Sequence, residues 1–212
     1  MQSPFPDDLV LPSPELRQAV EMVCERDRTF RKIETEAGAL MVRRWLPGFP
    51  SLVRIIVGQQ VSSNAARAIF GRLTQQIELT PAQLAQCPEV TLKQVGLSQA
   101  KIATCQRLAE AILTDQLNLE KLTLLPDSQV IEQLTQIKGI GVWTADVYLL
   151  FCLQRLNSFP ASDLAIQVGY QRLKSLSDRP TRQQLLSLTQ PLEPYRGAVA
   201  HLLWHYYRFL AR

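Results

Sequence analysis

Two stretches of this chain hold residues whose types and spacing could do chemistry. The first is Leu134-Thr-Gln-Ile-Lys-Gly-Ile-Gly-Val-Trp-Thr-Ala-Asp146. An amphipathic run leads into Gly139-Ile140-Gly141, and a strongly apolar run from Val142 to about Leu153 follows at once. Two glycines around one apolar residue permit a tight turn between helices, because glycine accepts backbone angles that other residues resist. Ile140 would plug such a turn into the core. The amides of Gly139, Gly141 and Val142 would then point outward at a helix N-terminus, where a phosphate binds well. A helix ending in an ordinary glycine cap, with a new helix after it, is the plainer alternative. The second stretch is Phe159-Pro-Ala-Ser-Asp163, with Asp163 at the start of a helix that begins around Leu164. A helix N-terminus favours an ionised carboxylate, although an N-cap aspartate needs no further purpose.

The elements that must position these residues read as helices. Between Pro50 and Gln76, the apolar residues Leu52, Ile55, Ile56, Ala65, Ile69, Phe70 and Leu73 recur at threes and fours around a polar interruption. Ser62 or Ser63 is placed to cap a helix restarting there, and Thr80-Pro81 opens a short helix that Pro88 ends. Ser98 to Leu113 repeats the pattern with Ile102, Leu108, Ala109 and Ile112 inward. Another helix starts at Asp127 or Ser128 with Val130, Ile131 and Leu134 inside. No Asn-Gly or Asp-Gly hairpin and no sustained polar–apolar alternation occurs. The predicted class is all-α, with many short helices. The proline-rich first dozen residues read as an extended lead-in.

Composition sets outer bounds. The chain has 212 residues, 46% hydrophobic and 20% charged, as in a folded globular protein. A net charge of +4 is compatible with nucleic acid without demanding it. Cys24, Cys87, Cys105 and Cys152 are far apart with no C-x-x-C pair, whereas a zinc ribbon or a cysteine-ligated iron–sulfur cluster needs clustered thiolates. Free thiols in a reducing cytoplasm are expected instead. The start, MQSPFPDDLV, lacks the basic and apolar regions of a signal peptide. No apolar run is long enough to span a bilayer. A soluble, intracellular protein with no membrane partner is expected, monomeric by default.

Three segments in order resemble the helix-hairpin-helix DNA glycosylase superfamily, and within it the 3-methyladenine DNA glycosylase II branch. They are Ile55-Ile-Val-Gly-Gln-Gln-Val-Ser-Ser63, Ile137-Lys-Gly-Ile-Gly-Val-Trp-Thr-Ala145 and Phe159-Pro-Ala-Ser-Asp-Leu-Ala-Ile166. The match runs from about Phe49 to Trp204. The resemblance implies a two-lobed helical fold with a cleft between the lobes. The chain is read as a lead-in and helices at 1–48, packing on the C-terminal lobe, and a core at 49–212 with the hairpin at about 134–153. The middle helices are expected to make one lobe, and the N-terminal helices with those after about Pro160 the other. The resemblance further implies base-excision repair of duplex DNA: the N-glycosidic bond of an alkylated purine, 3-methyladenine or 7-methylguanine, is hydrolysed after the base is flipped out.

The same resemblance assigns roles residue by residue. Asp163 falls at the catalytic position, where a carboxylate stabilises the oxocarbenium-like sugar or positions water. Gly139, Gly141 and Val142 hold the DNA backbone, and a sodium or potassium ion could sit on the carbonyls of Thr135 and Ile137. Gln60 and Val61 match the wedge that fills the gap left by a flipped base. Trp143 and Trp204 match the base pocket, where an indole face attracts a cationic purine, although Trp143 could equally be core and the aromatics around Trp204 also suit a packed helix. Trp143 stands where bifunctional relatives carry a Schiff-base lysine, and Lys138 does not match that position, so no strand cleavage is expected. Val147 replaces an aromatic often found in the pocket, with Tyr148 one step away. Asp146 reads as structural or solvent-facing, and His201 and His205, four apart, lack a third metal ligand. The competing reading is a non-catalytic helix-hairpin-helix protein that only recognises damage.

Overall fold

The computed structural model describes residues 9–211, so the first eight residues of the expected lead-in lie outside the described residues. The first elements are strand β1 (Leu9–Val10), helices α1 (Pro14–Arg26) and α2 (Arg31–Ala37), and strand β2 (Val42–Arg43). Helices α3 (Phe49–Gly58), α4 (Ser63–Gln76), α5 (Pro81–Gln86), α6 (Glu89–Gln94) and α7 (Gln99–Leu113) follow. Next come α8 (Leu119–Leu122), α9 (Asp127–Thr135) and α10 (Val142–Phe151). The chain closes with α11 (Leu164–Leu173), α12 (Arg182–Thr189) and α13 (Arg196–Leu210). The fold is helical, as the periodicity predicts. Among the described residues the one sheet is an antiparallel pair, Leu9 opposite Arg43 and Val10 opposite Val42.

Packing divides the described chain into two compact units, residues 45–153 and residues 9–44 with 154–211. The segment after Leu153 joins the unit of the N-terminal helices, because α1 and α2 pack on α13.

Within the 45–153 unit, local chemistry sets the helix starts. The Ser62 hydroxyl accepts from Ala65 N at 3.2 Å, that of Thr80 from Gln83 N at 3.2 Å, and that of Ser98 from Lys101 N at 3.4 Å. Each cap contributes on the order of 1 kcal/mol. The predicted inner face of α4 needs one correction: Phe70 and Leu73 are buried, but Ala65 is exposed and Ile69 only half-buried. The first turn of α4 stands clear of the core, so the threes-and-fours pattern overcounts there.

Helix α10 is apolar on nearly every side, the pattern of a central helix. Ala145 and Val147 through Phe151 are all buried. Tyr148 is fully buried, and its hydroxyl accepts from Gly48 N at 3.1 Å. Burial pushes its phenol well above the ordinary range. Tyr148 therefore anchors the start of α3, and Val147 beside it is core as well. Neither residue serves as an open pocket wall.

In the other unit, α11 packs on α13. Their approach is close at Gly169, where a Cβ would stand 2.9 Å from the Leu203 carbonyl oxygen. Phe30, Ile33, Val23 and Leu203 lie in this core with no exposure. His201 and His205 belong to it too, and among the described residues no group of three histidine, cysteine or carboxylate side chains could hold a metal ion. His205 Nδ1 accepts from Met41 N at 3.4 Å while Nε2 reaches the Gly38 carbonyl at 3.2 Å. Burial, reinforced by Arg208 and Arg43, lowers His201 to about 3.

A neutral buried histidine has a stability signature. The unfolded chain protonates His201 near its ordinary value of 6.5 and the folded chain does not. Stability from this source is therefore complete above about pH 6.5 and falls as pH drops toward 3, by about 2 kcal/mol between pH 7 and pH 5. Urea unfolding at both pH values should show this loss in the wild type and a smaller pH slope in His201→Gln.

Candidate nucleic-acid interface and carboxylate

Helix α9 ends at Thr135, and six residues later α10 begins with Gly141 as its N-cap. Ile140 is 3% exposed and its amide donates to the Ile137 carbonyl at 2.9 Å, which closes the turn. Gly139, Gly141 and Val142 are all exposed around it. No side chain caps α10. The helix adds partial positive charge at this end, next to the exposed Gly139, Gly141 and Val142.

The two glycines are required for different reasons. Gly139 has φ +104°, and a Cβ there would meet Thr104 Oγ1 at 2.0 Å. Nothing but hydrogen fits between the turn and α7. Gly141 has φ −103° and open space where a Cβ would go. Its missing side chain leaves room on the outer surface, where an anion would approach the amides.

Helix α7 braces the turn through one face. Lys101, Thr104 and Arg107 are spaced three apart and so lie close together on the helix. Thr104 is 4% exposed and presses on Gly139, while its hydroxyl donates to the Ala100 carbonyl at 2.8 Å. Arg107 donates to the Lys138 carbonyl at 3.3 Å. Lys101 donates to the Val57 carbonyl at 2.7 Å, and partial burial lowers its pKa. Sequence reasoning missed these three. The signal available was a polar line at helical spacing on a helix otherwise read for its apolar side.

The Val57 carbonyl lies at the end of α3, where the chain turns out of the helix. Gln59 follows and its side-chain amide donates to the Gly139 carbonyl at 3.2 Å and to Thr144 Oγ1 at 2.9 Å. Gln60 is exposed with φ +55°, a left-handed conformation that non-glycine residues adopt rarely. Val61 is 39% exposed beside it. The predicted wedge segment and hairpin thus meet in the structure. Trp143 and Asp146, both half-buried, belong to the first half of α10.

The second group of predicted residues lies in the other unit. Asp163 is the N-cap of α11, as predicted, and Oδ1 accepts from Ala165 N at 2.9 Å and Ile166 N at 3.2 Å. The Trp204 indole N–H donates to the same oxygen at 3.0 Å. Trp204 is 8% exposed, so most of its ring is packed into this unit. The structure brings Trp204 to the carboxylate through α13 and the close crossing at Gly169. Three N–H donors hold one carboxylate oxygen, which fixes the group's orientation. The four cysteines are buried thiols in separate places, and burial pushes Cys105 and Cys152 up to about 12.

The family described as HhH-GPD superfamily base excision DNA repair protein matches residues 53–194. DNA-3-methyladenine glycosylase 1 of Schizosaccharomyces pombe is 35% identical over 161 residues, 74% of this chain and 71% of that protein. The solved structure of the 3-methyladenine DNA glycosylase of that yeast in complex with abasic DNA is 31% identical. It aligns with a TM-score of 0.83 over 88% of this chain and 95% of its own. A DNA-3-methyladenine glycosidase from Bacillus halodurans is 30% identical, with a TM-score of 0.75 over 94% of this chain and 91% of that one.

The contrast between the glycines is directly testable. Gly139→Ala should lower the melting temperature by several degrees, since the methyl collides with Thr104 at a positive φ. Gly141→Ala should leave it within about a degree of wild type, the behaviour of an open surface position. Thermal unfolding of both variants followed by circular dichroism checks this.

Proposed function

The chain belongs to the HhH-GPD superfamily of base excision DNA repair proteins, and from that premise we propose that it is a monofunctional DNA glycosylase for alkylated purines. The substrates of this reading are 3-methyladenine and 7-methylguanine in duplex DNA, reached by flipping the base out of the stack. The observation that carries it is the Asp163 carboxylate, held at the N-terminus of α11 by two backbone amides and the Trp204 indole. The names of the similar proteins support the substrate class.

The chemistry asked of the chain is hydrolysis. The bond between the sugar C1′ and the purine nitrogen breaks, water supplies the new C1′–O bond, and its proton passes to solvent. Positive charge builds on the sugar as the base departs. A fixed carboxylate stabilises that charge without having to reorganise at the moment of reaction. A purine methylated at N3 or N7 already carries positive charge, so it leaves as a neutral base and needs little help from an acid. Trp143 cannot form a Schiff base with the sugar, and the reaction then ends at the abasic site.

In this reading the hairpin amides of Gly139, Gly141 and Val142 grip a phosphate. Gln60 and Val61 enter the duplex where the base has left. The carbonyls of Thr135 and Ile137 suit a sodium or potassium ion, since they are neutral oxygen donors beside the turn. The Ile137 oxygen, which accepts one bond from Ile140 N, keeps a second lone pair. Such an ion would add positive charge near the phosphate. No helix among the described residues is long and apolar enough to cross a membrane. The proposed setting is the cytoplasm of a bacterial-type cell, with the protein acting as a monomer on chromosomal DNA.

Release of free bases from methylated duplex DNA, read by chromatography, tests the reading. Wild type should release methylpurines, and Asp163→Asn should be slower by about 100-fold or more, the scale of losing transition-state charge stabilisation. Duplex binding by that variant should persist. Base release that survives the substitution would refute the mechanism. Release from neither protein, with duplex binding intact, would favour a damage-binding module. Wild type should also leave strands unbroken until the abasic product is treated with alkali, and prompt nicking would overturn monofunctionality.

A further inference from the structure

We propose that Gln59 is a positioning residue that couples the insertion loop to the hairpin, so that the two DNA-contacting elements act as one rigid piece. The inference rests on the reading of the chain as a base-flipping glycosylase. It concerns a residue to which that reading gives no task.

Gln59 is the C-cap of α3, the last residue before the loop turns outward. One side-chain amide nitrogen binds two partners about eighty residues away. It donates to the Gly139 carbonyl inside the turn at 3.2 Å and to the hydroxyl of Thr144 in the first turns of α10 at 2.9 Å. Thr144 is 1% exposed, so its hydroxyl depends on protein partners. The Gly139 carbonyl has little freedom to move away, because its residue is clamped against Thr104. On the other side of Gln59, Lys101 holds the Val57 carbonyl at 2.7 Å. Gln60 comes next in a left-handed conformation at φ +55°. Such a backbone persists where its surroundings over-determine it, and here the tethers lie immediately before it.

The consequence is a fixed distance between the amides that grip the phosphate and the side chain that enters the stack. Removing the tie would leave the hairpin intact, since Arg107 and Thr104 hold it independently. Backbone gripping would survive while base extrusion weakened. This separation distinguishes a positioning role from a general contribution to folding.

The test compares wild type with Gln59→Leu, which keeps the size of the side chain and loses both bonds. Gln60→Ala is the benchmark for a lost wedge. Three readouts are needed: base release from methylated duplex, affinity for unmodified duplex, and the fluorescence of 2-aminopurine placed beside an abasic analogue, which reports unstacking. Gln59→Leu should cut base release about tenfold, the scale of two net hydrogen bonds. It should lower the fluorescence gain, while duplex affinity stays within about twofold of wild type. Thr144→Val removes one of the two bonds and should fall between. Combining it with Gln59→Leu should add less than its separate effect. This milder variant also keeps the proposal testable if Gln59→Leu folds poorly. Wild-type base release and fluorescence in Gln59→Leu would overturn the coupling. So would a parallel loss of duplex affinity and melting temperature in both variants, which would mark Gln59 as structural only. Failure of wild type itself to release methylated bases would instead overturn the glycosylase reading, and this inference with it.

Discussion

The turn at Gly139 closes onto α7 across a gap that only a hydrogen atom can occupy, and the interface built around it depends on that contact. A Cβ at this position would lie 2.0 Å from the Thr104 hydroxyl. The turn can therefore sit deep on α7 while Gly139 and Gly141 stay exposed. Burial of Ile140 on the inner side holds it there. The amide-bearing surface is thus pinned by packing from beneath, leaving its outer side open to an anion.

Polar groups inside the 45–153 unit extend that rigidity. Burying a polar atom without a partner costs about 1–3 kcal/mol, and this cost selects a single arrangement among the possible ones. Lys101 and Thr104 each spend a donor on a backbone carbonyl, and Arg107 adds another from the exposed side. Those of Lys101 and Arg107 belong to the two segments flanking α7, the end of α3 and the hairpin. Tyr148 does the same for the start of α3 through Gly48. Helix α3 is therefore tied near both ends, and the loop after Gln59 leaves it from a defined place.

In the other unit one residue performs two jobs. Asp163 caps α11 and is also the carboxylate proposed to face the sugar. The requirements agree, because the backbone amides that need a cap also hold the carboxylate oxygen in one place. The Trp204 donor adds to this and comes from α13. Its placement depends on the crossing of α11 and α13 at Gly169, where a larger residue would push the helices apart. The sequence reading assigned Trp204 to stacking on the base. The structure also gives its N–H to the carboxylate, so ring and nitrogen can be considered separately.

What the sequence by itself determined is the local chemistry. The caps at Ser62, Thr80 and Asp163, the glycine turn and the apolar α10 were legible because each rests on residues a few positions apart. A helix start needs its cap to reach an amide two or three residues on, and that reach is written in the order of side chains. The two-residue strands were too short to show any alternation, and the exposed Ala65 followed an apolar pattern that the core did not use. Only the tertiary structure decided which distant residues meet. Gln59 with Thr144 lie 85 positions apart and Trp204 with Asp163 lie 41 apart. Those pairings depend on how closely whole helices approach, and that distance is set at Gly139 and Gly169 by packing of atoms far apart in the chain, which no local spacing encodes.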